Sequence, residues 1–309
     1  MTHLFSRMRA LAAPGVATTT SIVILVIVVL SAVFAGILAP YPQDQADLVK
    51  RFEAPSAQHW LGTDELGRDI LSRLMYGAQV SLFVSVSAVA LAMVVGIALG
   101  GIAAVGPSWV QTAILRFADV LLGFPEILMA IVLMAILGPS ILNVVLAVGI
   151  AYAPRFIRLT WSSLLVVREQ TYVEAARAAG TRTATILFRH MLPNILPVLL
   201  VQITLSLGHV VLVESALSFL GLGVQPPQAS WGSMINSAQL YISQSPYPVL
   251  FPGLAIMLTV LALNFLGDAL AEGGDPRLRT RAADSTDVGV DAKTPAAALA
   301  EPGSTRGGI

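Results

Sequence analysis

Along this 309-residue chain, long runs without any charged residue alternate with intervals that carry the charges. None of Asp, Glu, Lys or Arg occurs in residues 10–43, 74–115, 127–154 or 215–267. A helix needs about 20 mostly apolar residues to cross the hydrocarbon core of a bilayer, and each run is longer than that. The pattern therefore predicts a chain that crosses a membrane several times.

Turn residues divide these runs further and predict six membrane-spanning helices. The predicted spans are Thr20–Ala39, Leu82–Val105, Ala113–Leu137, Ile141–Trp161, Ile195–Phe219 and Leu250–Leu270. The first span has an alternative interpretation as a secretory signal, because Arg7 and Arg9 precede it. Its apolar run is far longer than the about 7–15 residues of a signal core, which favours a membrane helix.

Composition supports a membrane protein and excludes several kinds of site. Hydrophobic residues make up 56% of the chain and charged residues only 12%, about half the charged share of an average soluble domain. The formal net charge is zero, so the chain lacks the basic excess of a nucleic-acid-binding protein. Without cysteine it has no disulfide or thiolate, and its four histidines lack the spacing of a metal site. We predict no catalytic and no metal-binding residue.

The distribution of arginine predicts the orientation in the membrane, because Lys and Arg accumulate in short cytoplasmic loops. Arg7 and Arg9 lie before the first span, six arginines lie in the last turns of span four and in the loop that leads to span five, and Arg277 follows the last span. With six spans these three segments share one side, so both termini are predicted to be cytoplasmic. Residues 271–309 have no apolar periodicity and are predicted to form a disordered tail.

The arginine-rich loop, about residues 166–194, contains the alanine-rich sequence Tyr172–Gly180. Alanine is the best helix former, so a short helix is expected here, with Gly180 in the left-handed position after its end. A second helix is predicted over Thr183–Met191. The small alanine side chains allow a groove of another protein to come close. An ordinary linker between two spans is an equal alternative on these residues alone.

This loop also carries a resemblance to a known family. Its motif is Glu-Ala-Ala, three further residues, Gly, and a following Leu-Pro, here Glu174 to Gly180 and then Leu192-Pro193. That is the cytoplasmic signature of permease subunits of ABC-type importers. The resemblance implies a coupling helix that fits a groove of an ATPase subunit. The residues that match are Glu174, Ala175, Ala176, Ala179, Gly180, Leu192 and Pro193.

Three other stretches resemble the C-type permeases of dipeptide and oligopeptide importers: His59–Arg73, Glu214–Pro227 and Asp275–Arg279. The resemblance covers almost the whole chain to about Arg281, and Ala271–Gly274 departs from it. It implies an all-α membrane protein with the type-1 ABC importer permease fold and six transmembrane helices. Residues 1–77 would hold the first span and an external stretch, 78–270 the permease domain, and 271–309 the tail.

The same resemblance implies partners. They are a second permease subunit, two cytoplasmic ATPase subunits, an extracytoplasmic solute-binding protein and the lipid bilayer of the bacterial plasma (inner) membrane. The chain has no Gly-x-x-x-x-Gly-Lys-Ser/Thr loop, so ATP and Mg²⁺ are expected on the partners and no cofactor on this chain. Peptides are the implied cargo, with nickel chelates, glutathione and similar solutes as alternatives. A secondary transporter, a channel and a non-transporting scaffold are rivals of other classes.

Ionisable residues inside predicted spans are costly in lipid and therefore mark candidate functional groups. The candidates are Asp119, Glu126, Arg155, Arg158 and Glu214. Phe124 and Glu126 flank Pro125, which loosens the helix, and together with Glu214 they are the predicted pathway-lining residues. Packing against the partner is the alternative for Glu126, and a helix–helix hydrogen bond is the alternative for Glu214. Arg116 and Asp119 are three residues apart and are predicted to pair.

Two stretches outside the spans have patterns of their own. Leu66, Ile70 and Leu74 repeat every four residues and predict an amphipathic helix at the outer membrane surface, with packing on its own protein as the alternative. On that helix Asp69 and Arg73 are expected to pair. The Gly- and Pro-rich stretch Gly221–Trp231 predicts a rigid non-helical turn. The resemblance places this turn on the external side, near the solute-binding protein.

Overall fold

A computed structural model describes residues 15–274 of the chain. Arg7, Arg9, the Asp275–Arg279 stretch and the tail beyond residue 274 lie outside the described residues. The helices are α1 Val16–Val33, α2 Ile70–Val105, α3 Ser108–Leu122, α4 Glu126–Leu137, α5 Ile141–Arg168, α6 Thr171–Ala178, α7 Thr183–Phe219, α8 Trp231–Ala238 and α9 Tyr247–Gly274. Single helical turns at Ala35–Leu38, Leu48–Lys50 and Gln239–Tyr241 lie in the connections.

Five of these helices, α1, α2, α5, α7 and α9, are each long and apolar enough to cross a bilayer. The pair α3 and α4 passes the same criteria together and provides a sixth span. The most apolar 18-residue window of each of the five has a mean hydropathy between 1.5 and 2.6. The prediction of an all-α membrane protein with six spans is therefore confirmed.

The third span is bent, and the prediction of one uninterrupted helix over Ala113–Leu137 is wrong. The axes of α3 and α4 differ by 92° across the break between Leu122 and Glu126. Pro125 has no amide hydrogen and disfavours the helical conformation at Phe124 before it, so the chain turns at these residues. Glu126 is the first residue of α4 and therefore lies directly after the bend.

Helix α2 begins earlier than predicted, because the external helix and the second span are one helix of 36 residues. Asp69 caps its start by accepting a hydrogen bond from the Ser72 amide at 2.8 Å. Leu66 lies before this cap and is not part of the helix, so the prediction that it shares a helical face with Ile70 is wrong. The predicted domain boundary after residue 77 falls within α2.

Helices α5 and α7 also extend beyond the predicted spans. Helix α5 continues from Trp161 to Arg168. Helix α7 joins the predicted helix Thr183–Met191 to the fifth span, so these two predicted elements are one. Within α7, residues Ile186–Met191 form a π-helical turn in which amides bond five residues back. The two long helices thereby approach each other at the ends that α6 connects.

Helices α2 and α5 form the most extensive helix pair, and glycines of α2 allow them to pack closely. A side chain at Gly96 would overlap Phe156, and one at Gly100 would lie 2.7 Å from the Ile157 carbonyl oxygen. Small residues four apart let two membrane helices approach closely, as in other small-residue interfaces. Helix α7 packs on both members of this pair and on α9, and α1 packs on α2 and α9.

Candidate functional site

Helix α6 lies between the end of α5 and the start of α7 and is anchored there by one apolar residue. The Val173 side chain is fully buried. It belongs to a hydrophobic cluster with Leu164 of α5 and with Ile186, Leu187 and Met191 of the π-helical turn in α7. Since the cluster joins all three helices, a displacement of α6 acts directly on the ends of α5 and α7.

The C-terminal end of α6 has the geometry that its sequence predicts. Gly180 has φ +75°, which confirms the predicted left-handed conformation. Its amide donates to the Arg177 carbonyl at 3.0 Å, and the Thr181 amide donates to the Ala176 carbonyl at 3.1 Å. This pair of hydrogen bonds is a Schellman motif, which satisfies the last carbonyls and ends the helix abruptly.

The residues of the predicted coupling motif divide into an outer and an inner set. Glu174, Ala175 and Ala179 are exposed, together with Gly180. Ala176 is half-buried against the hydrophobic cluster. The outer surface of α6 therefore presents two small side chains beside one carboxylate, whereas Ala176 holds the helix on its own protein.

The Leu192-Pro193 end of the motif lies beside the start of α6, although about twenty residues separate them in sequence. Leu192 packs on the hydrophobic cluster and Pro193 is exposed. The Asn194 amide nitrogen donates to the Tyr172 hydroxyl oxygen at 2.9 Å and to the His190 carbonyl at 2.6 Å. Sequence spacing gave no sign of this link, because it depends on the fold of the whole loop.

Two ion pairs connect the bent span to α5. Asp119 of α3 pairs with Arg158, and Glu126 of α4 pairs with Arg155. The prediction that Asp119 pairs with Arg116 is wrong, because Asp119 faces the neighbouring helix and not its own helix surface. The Arg155 guanidinium also lies 5.4 Å from the Tyr152 ring centroid, within the range of a cation–π contact. Phe124, at the bend, is 58% exposed.

Glu214 is buried in α7 and surrounded by hydroxyl groups. Its side chain accepts a hydrogen bond from the Ser218 hydroxyl at 2.8 Å and a longer one from the Ser215 hydroxyl at 3.5 Å, and the hydroxyls of Ser81 and Ser230 lie close to it. These residues come from α2, α7 and the loop before α8. The geometry corresponds to the alternative of a hydrogen bond between helices, since the residue is only 1% exposed.

A separate charged cluster lies in the loop before α2. Its residues are His59, Asp64, Glu65, Arg68, Asp69 and Arg73, all at most half-exposed and most of them buried. Arg68 Nε lies 2.7 Å from an Asp64 oxygen, and Arg73 Nε lies 3.4 Å from the same carboxylate. The prediction that Asp69 pairs with Arg73 is wrong. Asp69 instead caps α2 and lies 3.0 Å from His59 Nδ1, because an N-cap side chain points back over its helix start.

The connection after α7 packs against this external loop. Residues 221–230 are not helical, as predicted, but Trp231 begins α8. The Trp231 indole donates to the Leu74 carbonyl at 3.1 Å, and the Ala229 amide donates to the Gln43 side chain at 3.3 Å. Ala229 of this connection also packs with Ile70 and Leu61 in one hydrophobic cluster, so the connection after α7 lies against the His59–Arg73 stretch that carries part of the resemblance.

Comparisons with known proteins agree with this architecture. The dipeptide transport system permease protein DppC of Alkalihalophilus pseudofirmus is 42% identical over 259 residues, which are 84% of this chain and 85% of that protein. The glutathione transport system permease protein GsiD of Pectobacterium atrosepticum is 41% identical over 266 residues, covering 86% and 88%. The di/tripeptide transport system permease protein DppC of Pseudomonas aeruginosa is 41% identical over 266 residues, covering 84% and 87%.

A solved structure shares the fold. It is that of the MetNI methionine ABC transporter in inward-facing conformations, with a TM-score of 0.55 and 17% identity over 66% of this chain and 97% of that chain. Residues 96–280 match the family described as binding-protein-dependent transport system inner membrane component. That region holds the last ten residues of α2 and the described helices that follow it. The chain therefore belongs to this family, the membrane-spanning permease components of ABC importers.

Proposed function

We propose that this chain is one of two permease subunits of an ATP-driven importer of di- and oligopeptides in the bacterial plasma membrane. The observation that carries the proposal is identity above 40% over about 85% of both chains with permeases named for dipeptide and di/tripeptide transport. A relative named for glutathione transport supports the same class, since glutathione is peptide-like. ATP and Mg²⁺ would bind to partner ATPases, so this chain would hold no cofactor and catalyse no reaction.

The proposed coupling surface is the outer side of α6. Glu174, Ala175, Ala179 and Gly180 are exposed there, next to Pro193. Small side chains let another backbone approach closely, and a firm anchor at Val173 passes its displacement to α5 and α7. Closure of the ATPase dimer on ATP would pull α6, and the long helices would move between inward and outward openings. Both chain termini would lie on the cytoplasmic side, as the arginine distribution predicts.

The other partners are assigned to the remaining surfaces. Helices α3 and α4 expose large apolar side chains, among them Phe117, Val120 and Ile136, which suits a second permease subunit and lipid. The external loop before α2 and the turn at residues 221–230 lie together, and a solute-binding protein would deliver cargo near them. Phe124 and Glu126 at the bend are the proposed pathway residues. Glu214 is too deeply buried to line a pathway in this conformation.

The test expresses this chain with the neighbouring permease and ATPase genes and purifies the complex in mild detergent. Ala175→Trp places a bulky side chain on the outer face of α6 and is expected to abolish co-purification of the ATPase and cargo-stimulated ATP hydrolysis. Ala175 is preferred to Ala176, because a tryptophan at half-buried Ala176 would displace α6 from its own protein. Ala271→Trp, at an exposed position near the end of α9 that is assigned to no partner, is the matched control.

Uptake of labelled dialanine into proteoliposomes that contain the complex and its binding protein then tests the cargo. Uptake that needs ATP and the binding protein supports a peptide importer. A complex in which Ala175→Trp couples normally would contradict the coupling surface. A complex that hydrolyses ATP without moving any peptide would contradict the cargo class and leave the family assignment intact.

A further inference from the structure

A cavity of about 460 Å³ opens between α3, α5 and α7, beside the bend of the third span. It is open over much of its extent and forms a groove on the surface of this chain. Arg155, Arg158 and Ser162 line it from one side of α5, at spacings of three and four residues, and Leu122 and Gln202 close it from α3 and α7. The polar groups of this wall therefore lie within helices that are otherwise apolar.

The charge that reaches the cavity is positive. Both charged residues in its lining are arginines, and their partners Asp119 and Glu126 are not part of the lining. Each guanidinium contacts its carboxylate through Nη2. A guanidinium has five N–H donors, so each arginine keeps further donors besides the Nη2 that contacts its carboxylate. Their side chains are 38% and 42% exposed.

Two further donors of the wall are unused. Arg158 Nε and the Trp161 indole nitrogen are buried and have no hydrogen-bond acceptor among residues 15–274. Buried donors without a partner are costly, and native proteins rarely keep them. Neither nitrogen is accessible to solvent in this conformation, so an acceptor in the cavity can reach them only when the ion-paired arginine side chains move.

We propose that this cavity binds the C-terminal carboxylate of a peptide cargo during translocation, with Arg158 as the main ligand and Arg155 and Trp161 as supporting donors. A carboxylate is planar and accepts parallel bonds from the guanidinium fork, which matches the available donors. Asp119 and Glu126 hold the arginines when no cargo is present, so cargo exchanges one carboxylate for another. This inference rests on the proposed peptide import and adds the end of the peptide that this chain recognises.

The experiment uses the reconstituted complex with its ATPases, second permease and binding protein. Uptake of dialanine and of dialanine amide is measured for wild type and for Arg158→Gln, and each variant rate is divided by the wild-type rate for the same peptide. The amide is supplied at a higher concentration to offset weaker capture by the binding protein. This normalisation cancels the binding protein's own preference, since the binding protein is the same in both complexes.

Arg158→Gln is expected to lower dialanine uptake about tenfold, the effect of losing a charge-assisted bond, and to lower amide uptake less than about twofold. Trp161→Phe removes only one donor and is expected to show a smaller effect of the same kind. Arg158→Gln alone leaves the Asp119 carboxylate without its partner. If that variant folds poorly, the double variant Asp119→Asn, Arg158→Gln replaces it in the uptake measurement. Arg116→Gln is the matched control, because Arg116 is an arginine on α3 outside the cavity lining.

Equal losses for the acid and the amide would overturn the inference. If the second permease also failed to co-purify with Arg158→Gln, the missing acceptor would be an acid of that partner. Wild-type complex that takes up neither peptide would overturn the proposed peptide import and this inference with it. Wild-type uptake with equal losses in the variants would overturn only the carboxylate site.

Discussion

The two charged regions of this chain have opposite exposure. The loop before α2 would be surrounded by water and headgroups, yet its ion-paired side chains are at most 11% exposed. The ion pairs of the membrane spans lie in largely apolar helices, yet the side chains of Arg155 and Arg158 are 38% and 42% exposed. Exposure of a charge within an apolar segment is unfavourable in lipid, so those arginines face water, cargo or another protein.

This difference separates two roles for charge. The buried pairs fix the path of the external loop and the start of α2, as the Asp69 cap and the contacts of Asp64 show. The pairs of the spans stay open to a ligand or partner, since both of their arginine side chains keep more than a third of their surface exposed. Removing a charge from the first region should therefore cost stability, and removing one from the second should cost transport.

The largest effect is expected for Asp64→Asn. It leaves Arg73 buried without its nearby carboxylate, and breaking a buried pair costs about 3–5 kcal/mol. The matched variant Asp119→Asn breaks a half-exposed pair and is expected to cost about 1 kcal/mol or less. Thermal midpoints of the purified complex in detergent measure both. Equal losses for the two variants would remove the distinction between the regions.

A smaller effect, and on transport instead of stability, is expected for Glu126→Gln. The amide keeps the size of the side chain but releases Arg155 from its ion pair, so dialanine uptake should change severalfold. The free energy of unfolding, followed by the thermal midpoint, should fall by about 1 kcal/mol or less. Initial uptake rates at several peptide concentrations provide the measurement. Unchanged uptake and unchanged cargo preference would remove Glu126 from the pathway.

The smallest effect is expected for Ser218→Ala, which tests whether Glu214 belongs with the buried, structural group. Ser218 supplies one of several hydroxyl bonds to that carboxylate, so its loss should cost about 1 kcal/mol and leave uptake unchanged. The thermal midpoint and the uptake rate are compared in the same preparation. A loss of uptake without a change in stability would return Glu214 to the pathway.

Local signals predicted the helices well. Uncharged runs were sufficient to place six spans, since lipid requires length and apolarity and little else. The alanines before Gly180 predicted α6 and its end, because helix propensity and left-handed glycine act within a few residues. The start of α2 could also have been predicted, since an Asp followed by Ser at the third helical position is a capping pattern.

Contacts between helices were beyond such signals. Asp119 and Arg158 are 39 residues apart, and spacing on one helix favoured Arg116 instead. The choice depends on how α3 leans against α5, which is set by the bend at Pro125 and by packing of α5 on α2. The sequence likewise did not determine whether Ala176 faces solvent or its own protein, because the faces of a short alanine-rich helix are nearly identical. The hydrophobic cluster around Val173 fixes the rotation of α6 and turns Ala176 inward.

The π-helical turn has a consequence for the phase of α7. Leu187, Met191, Ile195 and Leu199 repeat every four residues and are all buried in one cluster. In a regular α-helix such a repeat drifts by about 40° per step, so these side chains would spiral away from α6. The wider π turn holds more residues and counters that drift. Deleting one residue from Ile186–Met191 would rotate everything before it by about 100°, and the proposed coupling surface of α6 would turn with it.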